Sequence, residues 1–307
     1  MKYSFVLPAY KAHYLKEAIG SILNQTYTDF ELVVVDDASP QNLSAIVGQF
    51  NDPRLKFYTN NENIGGKDLV KQWNHCLEYA KGEYVILASD DDIYHREYLQ
   101  KMDVLVDKYP KVNVFRPRIQ QINGNGDIIH IAGIMDEFTR RMEFASLLGH
   151  VGKGIPFYIF NRRALLDAGG FINYPSAWHS DNATVVKLAS NGAVFCNEIL
   201  FSFRQSNENI STKRNNFTSL KMKLEATLQY YDEFPSILDE HKPDTPEERV
   251  FLEEVKAAAQ KDRIRDIKSC ILTSSTGAIF RIFPRMLRIK GFSFIALVET
   301  YVKYFIG

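Results

Sequence analysis

Cysteine is scarce in this sequence: Cys76, Cys196 and Cys270 are the only three in 307 residues. They are odd in number, far apart and without CxxC or His-rich spacing. Neither a disulfide framework nor a zinc site is therefore expected, and the compartment should be a reducing one. Neither sign of charge is in surplus, with Lys plus Arg equal to Asp plus Glu at 37 each. A chain without an overall positive field lacks what drives sequence-independent nucleic-acid binding, so no nucleic-acid partner is expected. Long hydrophobic runs are missing as well. The first ten residues pass directly into strand-like sequence with one lysine, unlike a secretory leader. Glu299 and Lys303 interrupt the last stretch that approaches the ~18–20 apolar residues of a membrane span. The expectation is a cytoplasmic protein, with any membrane contact limited to peripheral attachment at the inner face of the cell membrane.

What is present is an ordinary globular composition, 45% hydrophobic and 24% charged, in a chain long enough for one large α/β domain plus a smaller appendage. The first hundred residues alternate strand-like runs, over 3–7, 30–35, 55–58 and 84–88, with two helical stripes. Leu15, Ala18, Ile19, Ile22 and Leu23 form one stripe; Leu69, Val70, Trp73, Cys76, Leu77 and Ala80 form the other. This pattern of βαβ units predicts an α/β fold with a mostly parallel sheet covered by helices. After a helix over 98–106, the runs 119–122 and 128–131, joined by Asn123-Gly124-Asn125-Gly126, read as a hairpin. There follow an extended run over 155–160, a helix over 163–168 ended by Gly169-Gly170, a helix over 181–190 and two strand-like runs reaching Arg204. From residue 216 the sequence turns helical and loses strand alternation, which sets a boundary near 215.

In open sheets of this kind, ligands sit beyond the carboxyl ends of the strands. Three such ends carry unusual residues: Pro8-Ala9-Tyr10, Asp36-Asp37-Ala38-Ser39 and Ser89-Asp90-Asp91-Asp92. Three adjacent carboxylates repel one another, and a hard divalent ion shared with phosphate oxygens is the simplest reason to keep them there. The alternative is a solvated turn whose first Asp caps the next helix. Asp36 or Asp37 can face a ligand, where a carboxylate accepts from the N3–H of uracil, or can cap a helix over 41–49. Asn63-Ile64-Gly65-Gly66-Lys67 brings backbone N–H groups and a lysine to a helix start, where a phosphate or base could sit; a plain loop reads the same way.

Taken in order, five segments resemble the motifs of the inverting family-two GT-A glycosyltransferases. They are Phe5-Val6-Leu7-Pro8-Ala9-Tyr10, Ser21-Ile22-Leu23-Asn24-Gln25-Thr26-Tyr27, Val35-Asp36-Asp37-Ala38-Ser39, Asn63-Ile64-Gly65, and Gly82-Glu83-Tyr84-Val85-Ile86-Leu87-Ala88-Ser89-Asp90-Asp91-Asp92. The resemblance is close over 1–110 and looser over 150–215. It implies a GT-A fold, Rossmann-like with helices on both sheet faces, over 1–215, with a nucleotide-sugar half at about 1–110 and an acceptor half at about 111–215. Residues 216–307 would be a helical C-terminal region. By the same resemblance Asp37 contacts uracil, Pro8, Ala9 and Tyr10 line the base pocket, and Asn63, Gly65 and Lys67 lie near the nucleotide. Asp90 would sit by the ribose, while Asp91 and Asp92 bind the metal, Mn²⁺ or Mg²⁺. Ser89 departs from the pattern, since many relatives have Asp there, and leaves open which carboxylate serves the ribose and which the ion.

An inverting transfer also needs a base to take the acceptor hydroxyl's proton on the face opposite the diphosphate. In the family this is an acidic residue at a helix start after a Gly-Phe segment. Gly169-Gly170-Phe171 followed by Trp178-His179-Ser180-Asp181 matches that arrangement, so Asp181 is the expected base, with a helix N-cap as its structural alternative. Trp178 and His179 become acceptor-side candidates. Arg204 is expected to meet the diphosphate, or else to form a surface ion pair.

The implied activity is that of a metal-dependent hexosyl- or N-acetylhexosaminyltransferase. It would take a UDP-sugar donor and a glycan or lipid-linked glycan acceptor, in O-antigen or capsule synthesis. A catalytically silent nucleotide-sugar-binding subunit of a glycan-assembly complex is the competing reading. Residues 276–290 mix Arg281, Arg285, Arg288 and Lys290 with apolar side chains and no acid. The stretch 276–307 should therefore either lie on anionic lipid or pack on the protein with its basic residues in water.

Overall fold

A computed structural model describes residues 1–148, 154–206, 214–240, 243, 245–286 and 302. The chain divides into two compact units, Met1–Asn173 with Ser180–Asn207 and Tyr174–His179 with Glu208–Gly307.

The first unit is organised by four parallel strands, β1 (Tyr3–Ala9), β2 (Phe30–Asp36), β3 (Leu55–Thr59) and β4 (Tyr84–Leu87), side by side in the order β3-β2-β1-β4. Every residue of β2 and β4 is buried, which explains their unbroken apolar runs: a strand covered on both faces has no polar side to alternate with. The sheet continues through β9 (Ile159–Asn161), β6 (Val114–Ile122), β10 (Ala193–Arg204) and β5 (Ile93–Tyr94). β9 is antiparallel to its neighbours, while β6 and β10 run parallel. The hairpin partner β7 (Ile128–Ile131) and the short β8 (Phe138–Thr139) attach to β6 and β10. The result is the mostly parallel sheet with flanking helices that the periodicity predicts.

The helices of this unit follow local signals. In α1 (Leu15–Leu23) the stripe Leu15, Ala18, Ile19 and Ile22 is buried. Asn42 caps α2 (Leu43–Val47), and Asp68 caps α3 (Leu69–Leu77) by accepting from Lys71 N–H at 3.0 Å. Further along lie α4 (Tyr98–Lys108), α5 (Arg141–Leu147), α6 (Arg162–Asp167) and α7 (Ser180–Leu188).

Two expectations change here. The extended run over 155–160 is a 3-10 turn, Ile155–Phe157, and only then a strand; Pro156 has no N–H to give a sheet ladder. The two runs before Arg204 are one strand, β10, whose register against β6 shifts between Cys196 and Ile199. Asn197 and Glu198, exposed at that point, form the irregularity that looked like a break.

In the second unit, α8 (Phe217–Asp239), α9 (Pro246–Leu272) and α10 (Thr276–Met286) pack around Leu220, Leu224, Ile267, Cys270, Ile271, Ala278, Ile279 and Ile282. In α10, Ala278, Ile279 and Ile282 face this core, the Arg281 guanidinium lies 4.1 Å from the Phe217 ring centroid, and Phe280 is 61% exposed. Apart from Val302, residues 287–307 of the segment with the two membrane or packing readings lie outside the described residues. No helix among the described residues is long and apolar enough to cross a membrane.

A buried polar knot joins the starts of β1, β2 and β3 to the chain entering β4. Glu31, 1% exposed, accepts from the Ser4 hydroxyl at 2.7 Å and from Lys81 N–H at 2.8 Å, and pairs with Lys56. Burial raises its carboxyl pKa, and the hydrogen bonds of Lys56, Ser4 and Lys81 more than offset that, leaving it below the usual value. Gly82 comes so close to β1 that a Cβ there would lie 2.7 Å from Ser4 N and Tyr3 C. That peptide group of β1 is held in the sheet and cannot yield, so Gly82→Ala should lower unfolding stability by about 1–3 kcal/mol. At Gly133 an added Cβ meets nothing within 4 Å, so Gly133→Ala should stay within about 0.5 kcal/mol of the parent. Urea melts check both; equal midpoints for the two variants would contradict the packing.

Candidate functional site

The site forms where β1, β2 and β4 run out. β1 and β2 pair in register up to Ala9 against Asp36, and Val6 pairs with Leu87 of β4, so three loops emerge at one edge. They are tied together by the backbone of the first. Asp37 N–H donates to the Ala9 carbonyl at 2.9 Å, the Ser39 hydroxyl to the Tyr10 carbonyl at 2.6 Å, and Tyr10 and Lys11 N–H to Asp90 Oδ2 at 3.0 and 2.8 Å. The ring of Tyr10 stays outside, 42% exposed.

Asp37 is buried with its carboxylate turned to the next loop. Oδ1 accepts from Asn60 Nδ2 and Ile64 N–H at 2.8 Å each, and Oδ2 from Gly65 N–H at 2.7 Å. A Cβ at Gly65 would stand 2.9 Å from that Oδ2, so the close approach requires glycine. Ala38, between Asp37 and Ser39, has φ of 50°, a left-handed bend that non-glycine residues seldom adopt and that sends its two neighbours to different loops. Asp36 accepts from Ser39 N–H at 2.8 Å within its own turn. Neither Asp caps α2, because Asn42 does. Asn63 closes the following turn by accepting from Gly66 N–H. Lys67 extends to the surface and pairs with Glu62 at 2.6 Å.

The acidic loop is enclosed, with Asp90 6%, Asp91 5% and Asp92 1% exposed. Asp92 directs both oxygens inward: Oδ2 accepts from the Ser89 hydroxyl and Oδ1 from Arg204 N–H at 2.9 Å. Burial, with the charge of Asp91 adding to it, pushes the Asp92 carboxyl up to about 8 in spite of those donors. The Asp90 carboxyl is raised too, by burial and by Asp91, against the opposing charge of Lys11. Arg204 is itself buried, not a surface partner. Its Nε donates to the Asp91 carbonyl at 2.9 Å, its terminal nitrogens to the Gly124 carbonyl at 3.3 Å and Glu17 at 2.6 Å, and it lies 4.2 Å from the Tyr14 ring centroid.

Lys11 completes this corner. Its ammonium lies 2.7 Å from Asp91 Oδ2 and 3.1 Å from Asp90 Oδ1. Burial works against its charge, and the two carboxylates more than offset that, so its pKa stands above the usual lysine value. The donor set here is entirely oxygen, as a hard divalent ion prefers. Asp91 is the carboxylate least engaged by backbone. Among the described residues no group of three or more His, Cys, Asp or Glu is arranged to enclose a metal. An ion bound here would therefore take most of its ligands from substrate phosphates, and on those terms Asp91 and its neighbours fit Mg²⁺ or Mn²⁺.

Asp181 lies in the first turn of α7, inside the helix rather than at its cap. The positive end of the helix dipole favours its negative charge. That charge reaches Tyr158, whose hydroxyl pKa is raised by burial and by Asp181 against Arg116. The Gly-Gly-Phe segment fixes the approach to α7. Gly169 and Gly170 have φ of 90° and 88°, Asn74 of α3 holds Phe171 through both its N–H and carbonyl, and Ile172 N–H donates to Thr184 of α7 at 3.0 Å.

Trp178 and His179 belong to the second unit. His179, 4% exposed, stacks on Tyr230 with ring centroids 4.7 Å apart and contacts Thr227 at 3.3 Å. Lys223 lies 4.4 Å from the Trp178 ring centroid.

The structure thus joins Ala9, Tyr10, Asp37, Asn63 and Gly65 along one set of loops and Asp90, Asp91, Asp92 and Arg204 along the other. Pro8, in β1, leads into the first loop. It leaves Lys67 in its surface pair. Sequence reasoning missed Lys11, Ser89 as a donor to Asp92, Glu17 and Asn74. Lys11 could have been found by asking what balances three carboxylates, since it follows Tyr10 in the adjoining loop.

Comparison with known proteins matches residues 4–170 to the family described as glycosyl transferase family 2. A relative is the Escherichia coli UDP-Glc:alpha-D-GlcNAc-diphosphoundecaprenol beta-1,3-glucosyltransferase WfgD, 29% identical over 224 residues, which are 71% of this chain and 82% of that one. Another is the Staphylococcus aureus poly(ribitol-phosphate) beta-N-acetylglucosaminyltransferase TarS, 32% identical over 130 residues, 41% of this chain and 22% of that one. The crystal structure of TarS residues 1–349 with UDP-GlcNAc aligns at a TM-score of 0.64 and 19% identity, covering 99% of this chain and 89% of that chain. That of the mannosyltransferase PcManGT from Pyrobaculum calidifontis with GDP-Man and Mn²⁺ aligns at 0.54 and 16% identity, covering 99% and 86%. At these identities the structural likeness is one of fold, and the fold is GT-A.

The pinning of the 60–65 loop by Asp37 can be checked directly. Asp37→Asn keeps the size and leaves one acceptor oxygen where two served three donors. Hydrogen bonds to a charged acceptor contribute about 1.5–3 kcal/mol each, so the Ile64 and Gly65 amides should exchange with deuterium about tenfold faster or more. Amides of α9 should keep their parent rates. Unchanged exchange at both positions would contradict the pinning.

Proposed function

The chain belongs to glycosyl transferase family 2, and on that premise we propose that it is an inverting, metal-dependent transferase that moves a hexosyl or N-acetylhexosaminyl group from a UDP-sugar to a hydroxyl of a glycan acceptor. The observation that carries this reading is the enclosed Asp90-Asp91-Asp92 loop at the shared ends of β1, β2 and β4, tied to the loop that Asp37 supports. Bacterial surface-polysaccharide synthesis is the proposed setting, on the strength of the substrates named for WfgD and TarS. The acceptor is a glycan or lipid-linked glycan, reached at the inner face of the membrane. Residues 1–215, apart from the Tyr174–His179 segment and the few residues past 207 that group with the second unit, are the proposed catalytic domain, with the donor half at about 1–110. A peripheral attachment over 276–307 would use the side of α10 that carries the exposed Phe280, since Ala278, Ile279 and Ile282 are packed inside.

Each residue then has a task. Pro8, Ala9 and the exposed ring of Tyr10 form one wall for the uracil, and Asp37, already aligned by Ile64 and Gly65, accepts from its N3–H. Asn63 shapes the turn, and Lys67 can reach the nucleotide by leaving Glu62. Asp90 sets the ribose side of the loop. Asp91 holds the divalent ion, with Asp92 behind it as the buried support of the loop; the ion, when bound, neutralises charge on the departing diphosphate. Arg204 acts through the acidic loop that it grips. Asp181 takes the proton from the attacking hydroxyl, so no covalent sugar–enzyme intermediate forms. Trp178 has partly exposed aromatic surface of the kind that stacks on a sugar, and the buried His179 packs edge-on beside it.

Release of UDP from UDP-glucose or UDP-GlcNAc, measured with Mn²⁺ and a diphospholipid-linked N-acetylglucosamine acceptor, tests the assignment. Asp181→Asn should lower kcat by about 10²–10⁴-fold and keep UDP affinity. Asp91→Ala should weaken UDP binding in the presence of Mn²⁺. Undiminished turnover in Asp181→Asn would remove it as the base, and a parent protein that binds UDP-sugar yet releases no UDP with any acceptor would be a silent binding subunit.

A further inference from the structure

A lysine occupies the carboxylates proposed to receive the divalent ion. The Lys11 ammonium bridges Asp91 Oδ2 and Asp90 Oδ1 at 2.7 and 3.1 Å, while the Lys11 backbone N–H is held separately by Asp90 Oδ2 at 2.8 Å. Main chain and side chain are thus anchored by different bonds. The side chain can leave without disturbing the loop, and at 31% exposure it has open space to leave into. Among the described residues Arg204 also touches this loop, and it cannot exchange in this way. It is 2% exposed and directs its guanidinium to backbone carbonyls and Glu17.

From this arrangement we infer that Lys11 is a displaceable internal counterion. Its ammonium neutralises Asp90 and Asp91 while the donor site is empty, yields Asp91 to the divalent ion when that ion arrives with the nucleotide diphosphate, and is thereby freed toward the donor's phosphates. The inference rests on the metal-dependent reading above. Its physical basis is competition for the same oxygens. If the lysine pair is formed about nine-tenths of the time, the apparent affinity for a free divalent ion falls about tenfold. Nucleotide and ion together replace that pair with phosphate contacts on both cations, so each should strengthen binding of the other, and by the same factor. The lysine would make the site selective for a metal that comes with its nucleotide over a metal alone.

The test is a titration of free Mn²⁺ by electron paramagnetic resonance, with and without UDP, on the parent, Lys11→Gln and Lys11→Arg. Without UDP, Lys11→Gln should bind Mn²⁺ about tenfold more tightly than the parent, and the gain in Mn²⁺ affinity on adding UDP should shrink. Lys11→Arg, which keeps the charge, should stay within about threefold of the parent. Equal Mn²⁺ affinity in Lys11→Gln and the parent without UDP would overturn the inference and leave the metal-dependent reading standing. If UDP binds but Mn²⁺ does not bind with it in any of the three proteins, the metal reading fails and the inference with it. Should Lys11→Gln melt early, the lysine ammonium resonances of the parent put the same question. The signal missing from Lys11→Arg must shift when Mg²⁺ and UDP are added together; no shift would overturn the inference.

Discussion

The arrangement depends on the repulsion among carboxylates crowded at one edge of a buried sheet. Asp90, Asp91 and Asp92 are almost fully enclosed, and Asp36 and Asp37 are buried in the next loop. Left alone, such groups would take up protons or pull the loops apart. Each is given donors suited to its place, which hold the loops together even though burial still raises the carboxyl pKa of Asp90 and Asp92. Asp37 receives a side-chain amide and two backbone N–H groups, Asp90 two backbone N–H groups and part of an ammonium, and Asp92 a hydroxyl and a backbone N–H. Asp91 has little but Lys11. That asymmetry makes Asp91 the natural place for an exchangeable cation.

The sheet supplies the rigidity this requires. Parallel pairing forces β1, β2 and β4 to end at one edge, so loops far apart in sequence meet without long excursions. Polar groups inside the sheet, Ser4 with Glu31 and Gly82, fix how β4 enters against β1 and so where the acidic loop begins. Asn74 of α3 holds Phe171, and the next residue, Ile172, donates to Thr184 of α7, which couples the helix that carries Asp181 to α3.

Much of this was legible in the sequence because it followed from periodicity. Strands read from β-branched runs, such as the one ending in Val33-Val34-Val35, fell where expected, as did the helical stripe beginning at Leu15. The sequence also placed the acidic loops at the carboxyl edge of the sheet, directly after those strands. What remained hidden was partnership across the chain. Nothing local to Arg204 says that it will be buried under Asp91 and Glu17, and nothing near residue 42 distinguishes Asn42 from Asp36 as the helix cap. His179 read as an acceptor-side candidate, and the structure packs it against Tyr230, about fifty positions away in the sequence. The bulge at Asn197-Glu198 divided one strand into two apparent ones. Local patterns specify elements, whereas the donors that tame a buried charge come from wherever the fold brings them.

The central claim is that these carboxylates grip a nucleotide diphosphate through a shared divalent ion. Calorimetric titration of UDP into the parent protein, once in Mn²⁺ and once in excess chelator, tests it most directly. Affinity at least about tenfold higher in Mn²⁺, a difference of roughly 1.4 kcal/mol, is the predicted result. Identical affinities in the two buffers would contradict it.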